Sequence, residues 1–160
     1  MAIEVRPAAT FGDWEALMAL LHAAFAFQEG RIDPPSSLHS FDAASIAAKA
    51  KEERLFLAFD DGRLAGCIFA KPRGDHAYVG KMAVSPTLQG KGIGRRLMLA
   101  AEGFARESGL AALELQTRIE LTENHETFAA LGFAKISEGA HAGYDRKTFI
   151  TMRKTLGFGV

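Results

Sequence analysis

The stretch from His76 to Ala101 contains no aspartate or glutamate, and within it lies Gln89-Gly90-Lys91-Gly92-Ile93-Gly94-Arg95-Arg96. Ahead of this glycine run, His76 to Val84 reads as a strand. Behind it, Ile93, Leu97, Ala100, Ala101 and Phe104 fall on one face of a helix that Ser108-Gly109 ends. A strand, a glycine loop and an amphipathic helix in that order call for a sheet on which the helix buries its stripe, an α/β or α+β arrangement. The same unit is a ready anion site. Glycine lets backbone approach a ligand closely, the first helical N–H groups have no intrahelical acceptor, and the helix dipole adds partial positive charge. Lys91, Arg95 and Arg96 crowd that end, where cations oppose the dipole unless an anion offsets them. A dinucleotide fingerprint needs glycine where Arg95 stands, and a Walker A loop needs Gly-Lys followed by Ser or Thr. Neither describes Gly90-Lys91-Gly92.

The remaining sequence surrounds that unit with further elements. Ile3 to Arg6 alternates and reads as an opening strand closed by Pro7, and Asp13 can cap a helix to about Phe27 with Leu17, Leu20, Leu21 and Ala24 in one stripe. Gln28 to Phe41, with Gly30, Pro34, Pro35, Ser36 and Ser37, reads as loop, either a plain connector or a functional segment. An Ala-rich helix follows from Asp42 or Ala43 to Glu53. Leu55 to Phe59, an Asp61-Gly62 turn and Arg63 to Lys71 form a hairpin. After the glycine-loop unit come a strand from Ala111 to Thr117, a helix from Thr122 to Leu131 stopped by Gly132, and strands over Phe133 to Ser137 and Thr148 to Arg153. The order is β-α-α-β-β-β-α-β-α-β-β, a mixed sheet with helices on it.

Composition limits the class further. The chain has 160 residues, 48% hydrophobic and 24% charged, with nineteen Lys plus Arg against nineteen Asp plus Glu. That length predicts a single domain over 1–160, able to hide roughly 68–70% of its unfolded surface without metal or disulfide staples. Zero net charge argues against nucleic acid as a partner. The longest near-apolar stretch, Ala16 to Phe27, falls short of the roughly 20 residues that span a bilayer. A lone Cys67 implies no oxidising compartment, and no secretory leader is legible, so a cytoplasmic location without membrane association is expected. His22, His39, His76, His125 and His141 show no metal-ligand spacing, and no metal is expected.

The Gln-x-x-Gly-x-Gly pattern at Gln89 to Gly94, the strand ending Met82-Ala83-Val84-Ser85-Pro86 and the downstream Phe128-Ala129-Ala130-Leu131-Gly132-Phe133 resemble the GNAT superfamily of acetyl-CoA-dependent N-acyltransferases over nearly the whole chain. The resemblance implies a mixed, mostly antiparallel sheet of about seven strands flanked by four helices. It implies acetyl-CoA as cosubstrate, with its pyrophosphate on the backbone of Gln89, Gly90, Lys91, Gly92, Ile93 and Gly94, helped by Arg95. The pantetheine arm would run along Met82, Ala83 and Val84, where the sheet splays open, near Phe128. Asn124 matches a family position that often contacts the cofactor, although a helix-capping role is an equal reading.

Acetyl transfer to an amine requires the amine to lose a proton and the departing sulfur to gain one. An N–H near Met82 or Ala83 is expected to stabilise the oxyanion, with direct attack by the amine. Many relatives supply the acid as a tyrosine four residues before the Gly of Leu-Gly-Phe. Phe128 stands there and has no proton to give. Tyr144 and His141, in the polar loop between the last two strands, are the expected acid–base residues, with Glu114 a lesser candidate and Cys67 a core residue. The expected acceptor is a small-molecule or peptide amine. Glu29, Asp33, Asp42 and Glu138 offer a home for a cation and Arg31 and Arg146 for a carboxylate, so its charge stays open. A non-catalytic acyl-CoA sensor is the alternative, and a homodimer is compatible with the fold.

Overall fold

A computed structural model of the chain describes residues 2–157. Its elements are β1 (Ile3–Pro7), α1 (Trp14–Phe25), α2 (Ala43–Glu52), β2 (Arg54–Asp60), β3 (Arg63–Arg73), β4 (His76–Val84), α3 (Ile93–Glu107), β5 (Ala112–Arg118), α4 (Thr122–Ala130), β6 (Ala134–Gly139) and β7 (Phe149–Thr155). They form the expected mixed α/β fold, a seven-stranded sheet in the order β1-β2-β3-β4-β5-β7-β6. Adjacent strands run antiparallel except for β4 and β5, which are parallel. β3 runs two residues past its expected end because Pro72 and Arg73 still pair with Ala77 and His76 across the turn. Among the described residues no helix is long and apolar enough to cross a membrane.

The central strands are apolar on both faces because each face carries a helical layer. In β2, Leu55, Leu57 and Phe59 join α1 and α2 through Leu17, Leu21 and Ile46, while Phe56 and Ala58 point to the opposite layer. β3 repeats this period of two: Cys67 and Phe69 face α1, whereas Ile68 and Ala70 face α3 through Ile93, Leu97 and Ala101. Local signals start the helices. Asp13 Oδ1 accepts from Ala16 N–H at 3.1 Å. Asp42 and Ser45 form a reciprocal capping box before α2.

At Gly66 a side chain would be caught between the neighbouring strand and α3. A Cβ there would lie 2.8 Å from the Ala83 carbonyl oxygen and 3.0 Å from Leu97 Cδ1. The oxygen belongs to backbone and cannot turn aside. Gly66→Ala is therefore expected to lower stability by about 1–3 kcal/mol, the usual range for overpacking. Urea unfolding measures it, and an unchanged midpoint would remove this packing account.

Cys67, on the next residue, is fully buried, and burial pushes its thiol up to about 12. A thiol-specific reagent at pH 8 should leave the folded chain unmodified and react once urea unfolds it. Prompt labelling of the native chain would contradict that burial.

Candidate active site

β4 and β5 share only three rungs, His76 with Ala112, Ala77 with Leu113 and Tyr78 with Glu114. Beyond Tyr78 they part. β5 follows β7 to the rung of Arg118 with Phe149, and β4 follows β3 to the rung of Val84 with Gly66. A bulge accompanies the divergence: the β3–β4 register slips between Cys67 and Phe69, and Lys81 adopts φ 47°, a left-handed conformation uncommon for a side chain of its kind. The Cys67 thiol donates to the Lys81 carbonyl at 3.3 Å and holds the bulge. The β4 edge that faces the gap is left without a β5 ladder partner.

Two cavities open along that gap. The larger, about 620 Å³, is lined by Met82, Ala83, Val84, Gln89, Gly90, Gly92, Ile93, Gly94, Asn124 and Phe128, all of them sites expected from sequence. Lys91 and Arg95, also expected there, are exposed and do not line it. Gly90 and Gly92 adopt φ 81° and 80°, so the loop turns where side chains are disfavoured. The first α3 bond runs from Arg96 N–H to Gly92 O at 3.1 Å, and Gly92 offers no capping side chain. The N–H groups of Ile93, Gly94 and Arg95 therefore lack intrahelical acceptors, and no acidic residue occupies the first turn. Arg96 does not join this end, because it donates to Ile3 O at 2.8 Å. The α4 N-terminus carries no side-chain cap, which removes the capping account of Asn124.

The second cavity, about 390 Å³, lies under the segment from Gln28 to Phe41, with Gln28, Ile32, Ser36, Ser37 and Phe41 in its wall. Phe25, Gln28, Met82, Asn124 and Phe128 line both cavities, so the two meet at the splayed edge. Of the two acid–base candidates, only His141 is brought to this wall. Its Nδ1 sits 2.6 Å from Oγ1 of the buried Thr148, and burial together with the nearby Arg118 lowers its proton affinity. Tyr144 lines neither cavity; its hydroxyl donates to Asp33 Oδ1 at 2.6 Å, which raises its pKa. Glu114 is drawn instead to Arg153 Nη1 at 2.6 Å, at the paired end of β4 and β5.

The Gln28 to Phe41 segment is no loose connector. The Asp33 carboxylate receives Tyr144 and Arg146, its N–H donates to Glu120 Oε2, Arg31 forks onto Glu123, and Arg118 donates to the carbonyls of Pro34 and Pro35. Short 3₁₀ turns at Ala26–Gln28 and Ser37–Ser40 bracket it. The six side chains that left the acceptor's charge open are thereby reassigned: Asp33 pairs with Arg146, Arg31 with Glu123, Glu29 with His39, Glu138 with Lys135, and Asp42 caps α2. Sequence reasoning missed Arg118 as the tether and Lys81 as a cavity residue. Lys81 falls within the acid-free run from His76 to Ala101, but the bulge that aims it is not readable there. Arg118→Leu should speed proteolytic nicking between Gln28 and Phe41 tenfold or more while the unfolding midpoint of the sheet changes little. An unchanged nicking rate would show that the tether is idle.

Comparison with known proteins places these features in a family. The model of the acetyltransferase (GNAT) family matches residues 14–133. The chain is 34% identical over 107 residues to IAA acetyltransferase of Azospirillum brasilense, covering 66% of this chain and 69% of that protein. It is 30% identical over 145 residues to mycothiol acetyltransferase of Pseudarthrobacter chlorophenolicus, covering 83% of this chain and 43% of that protein, and so spans less than half of that relative's length. The structure of PaiA N-acetyltransferase from Thermoplasma acidophilum in complex with coenzyme A matches with a TM-score of 0.83 at 18% identity, over 98% of this chain and 100% of that one, a likeness of fold.

Proposed function

The chain belongs to the acetyltransferase (GNAT) family, and on that footing we propose that it transfers an acetyl group from acetyl-CoA to the primary amine of a small-molecule acceptor, both bound together. The observation that carries this reading is the meeting of two cavities at Met82, Asn124 and Phe128, one built for an anionic cofactor and the other closed over by a tethered segment. The acceptor cavity, at about 390 Å³, falls within the roughly 300–1,000 Å³ typical of small-ligand sites, which favours a small molecule over a peptide. The relatives named for IAA and mycothiol are consistent with that size.

The residues present fit acetyl-CoA. The unpartnered N–H groups of Ile93, Gly94 and Arg95 and the left-handed turns at Gly90 and Gly92 suit a pyrophosphate. Lys91 and Arg95 add positive charge from the solvent side. The free β4 edge at Met82 to Val84 suits an amide-bearing arm laid along it, with Phe128 and Asn124 across the gap. When bound, the thioester supplies an activated acetyl group: the acceptor nitrogen forms the new amide bond, the carbon–sulfur bond breaks, and the proton leaving nitrogen balances the one the sulfur gains.

His141 is assigned the proton transfer at the acceptor. With the proton on Nδ1 donated to Thr148 Oγ1, Nε2 keeps its lone pair and is the nitrogen that takes the amine's proton, directly or through water. Its lowered proton affinity keeps the ring neutral and able to accept at neutral pH. Tyr144 takes a positioning role, holding Asp33 and with it the roof of the acceptor cavity.

Thermal unfolding with acetyl-CoA, NAD and ATP compared, followed by thiol release with a panel of amines, tests the reading. Ligand at 100 times its Kd adds about 2.7 kcal/mol, on the order of 5–10 °C for a chain of this length. A shift with NAD or ATP but none with acetyl-CoA would overturn the cofactor assignment. Stabilisation by acetyl-CoA with no thiol released from any amine would leave the non-catalytic sensor instead. His141→Ala should lower kcat about 10²–10⁴-fold, the usual worth of a positioned base, with the acetyl-CoA shift intact. The acid limb of the wild-type pH profile should fall below the ordinary imidazole value of 6.5 and vanish in that variant.

A further inference from the structure

The acceptor cavity is one-sided in charge. Lys49, Lys81, Arg118 and His141 are in its wall, and no aspartate or glutamate is. Two of these cations are already engaged. Lys49 Nζ lies 2.5 Å from Glu53 Oε2, and Arg118 gives its guanidinium to the carbonyls of Pro34 and Pro35. Lys81 differs. Among the described residues no carboxylate lies within salt-bridge distance of its ammonium, which touches Ser37 Oγ at 3.3 Å and stands 4.5 Å from the Phe41 ring centroid. The chain holds this side chain in place with a left-handed backbone at a bulge, fixed from behind by the Cys67 thiol. A half-buried ammonium with no carboxylate beside it among the described residues carries a desolvation penalty, and a ligand anion is the partner that would offset it. Strained backbone of this kind concentrates at functional sites.

The placement narrows the anion. Lys81 precedes Met82, one of the residues shared by the two cavities, so an anion at Lys81 lies close to the point where the amine must meet the thioester. The rest of the wall is largely apolar, with Ile32, Phe41, Leu121 and Phe149 prominent. Resting on the acetyltransferase reading above, we propose that the acceptor is an amino carboxylate with an apolar body, and that Lys81 binds its carboxylate. Lys81 thus sets specificity by charge, and the amine is left to His141.

The charge on Lys81 is itself conditional. Burial first and the nearby Lys49 second pull its pKa down to about 8, against the opposing pull of Cys67 and Glu53. Of the groups that face it, Lys49 on α2 and Glu53 at that helix's C-cap are paired with each other, and the Cys67 thiol on β3 stays protonated up to about 12. Across the cavity, Arg118 stays charged and His141 is already neutral above its lowered pKa. Lys81 therefore loses charge between pH 7 and 9.5, and carboxylate binding should weaken as pH rises past about 8.

Matched acceptors test this, with the full chain and acetyl-CoA: phenylalanine against phenylalaninamide, and leucine against leucinamide. Comparing variants on the same acceptor cancels the differing basicity of the amines. Lys81→Met should lose tenfold or more in kcat/KM on the amino acids and stay within about threefold on the amides. Lys81→Arg should keep most of the carboxylate preference. Equal losses on both acceptor types would assign Lys81 to proton transfer or to structure and overturn the proposal, as would no loss at all or acetylation confined to the amides. A binding arm needs no turnover: 3-phenylpropionate, followed by ligand-observed NMR, should bind the wild-type chain more tightly at pH 7 than at pH 9.5. Its neutral amide should show no such dependence, and equal pH response of the two would also overturn the proposal. The acetyl-CoA unfolding shift, recorded for every variant, separates the two readings. Its absence in wild type defeats the acetyltransferase reading, whereas its presence with no acetylation of amino carboxylates defeats only this one.

Discussion

Everything functional in this molecule follows from two parallel strands that begin as neighbours and do not stay so. β4 and β5 exchange three rungs and separate after Tyr78 and Glu114. Each then has a full-length partner on its other side, β3 for β4 and β7 for β5, so both stay anchored in the sheet although their inner edges are unpaired. The gap exposes an edge of unpaired backbone groups in the middle of the fold rather than at its rim. Ordinarily such an edge is a liability. Here it is walled by α3 with its glycine loop, by α4, and by the segment from Gln28 to Phe41, and becomes the line along which two cavities meet.

The two cavities differ in how the chain handles charge. Along the glycine loop, positive potential comes mostly from backbone: unpartnered N–H groups and a helix dipole without an acidic residue in the first turn. Under the tethered segment it comes from side chains, and one of those, Arg118, is committed to holding the roof. Outside the wall, Arg146 engages Asp33 and Arg31 forks onto Glu123. Many of these pairs are exposed and individually weak in water. Together they join a long connection to the β5–α4 and β6–β7 turns, which a neutral loop of Gly, Pro and Ser would not achieve. Charge balance over the whole chain thus conceals local asymmetry at both cavities.

Most of the lining of the larger cavity was legible because its signals are local. Gln89 to Gly94 are consecutive residues, glycine spacing reports the turn, and the absent acids report the dipole. Met82 to Val84 adjoin them in sequence. The smaller cavity was legible only in part. His141 was singled out for its chemistry and does reach the wall, but Tyr144, chosen on the same grounds three residues later, is turned to Asp33. That partner lies 111 residues earlier in sequence, beyond what spacing can reveal. Glu114 was equally ambiguous on its strand until the pairing with β7 set Arg153 beside it.

Local sequence signals sufficed for the order and kind of the α-helices and strands, though not for the 3₁₀ turns, and for the glycine loop and the family. These depend on period, capping and turn residues that act over a few positions. Which charges face the smaller cavity is settled by tertiary structure. Of the acids and bases that left its sign undecided, Arg31, Asp33 and Arg146 are drawn into pairs with residues far along the chain, Glu29 and Glu138 into pairs with nearby ones, and Asp42 into a helix cap. Lys81, one cation of an acid-free run, is left facing the cavity because a bulge rotates it there, and a bulge is a property of strand register rather than of any short stretch of sequence.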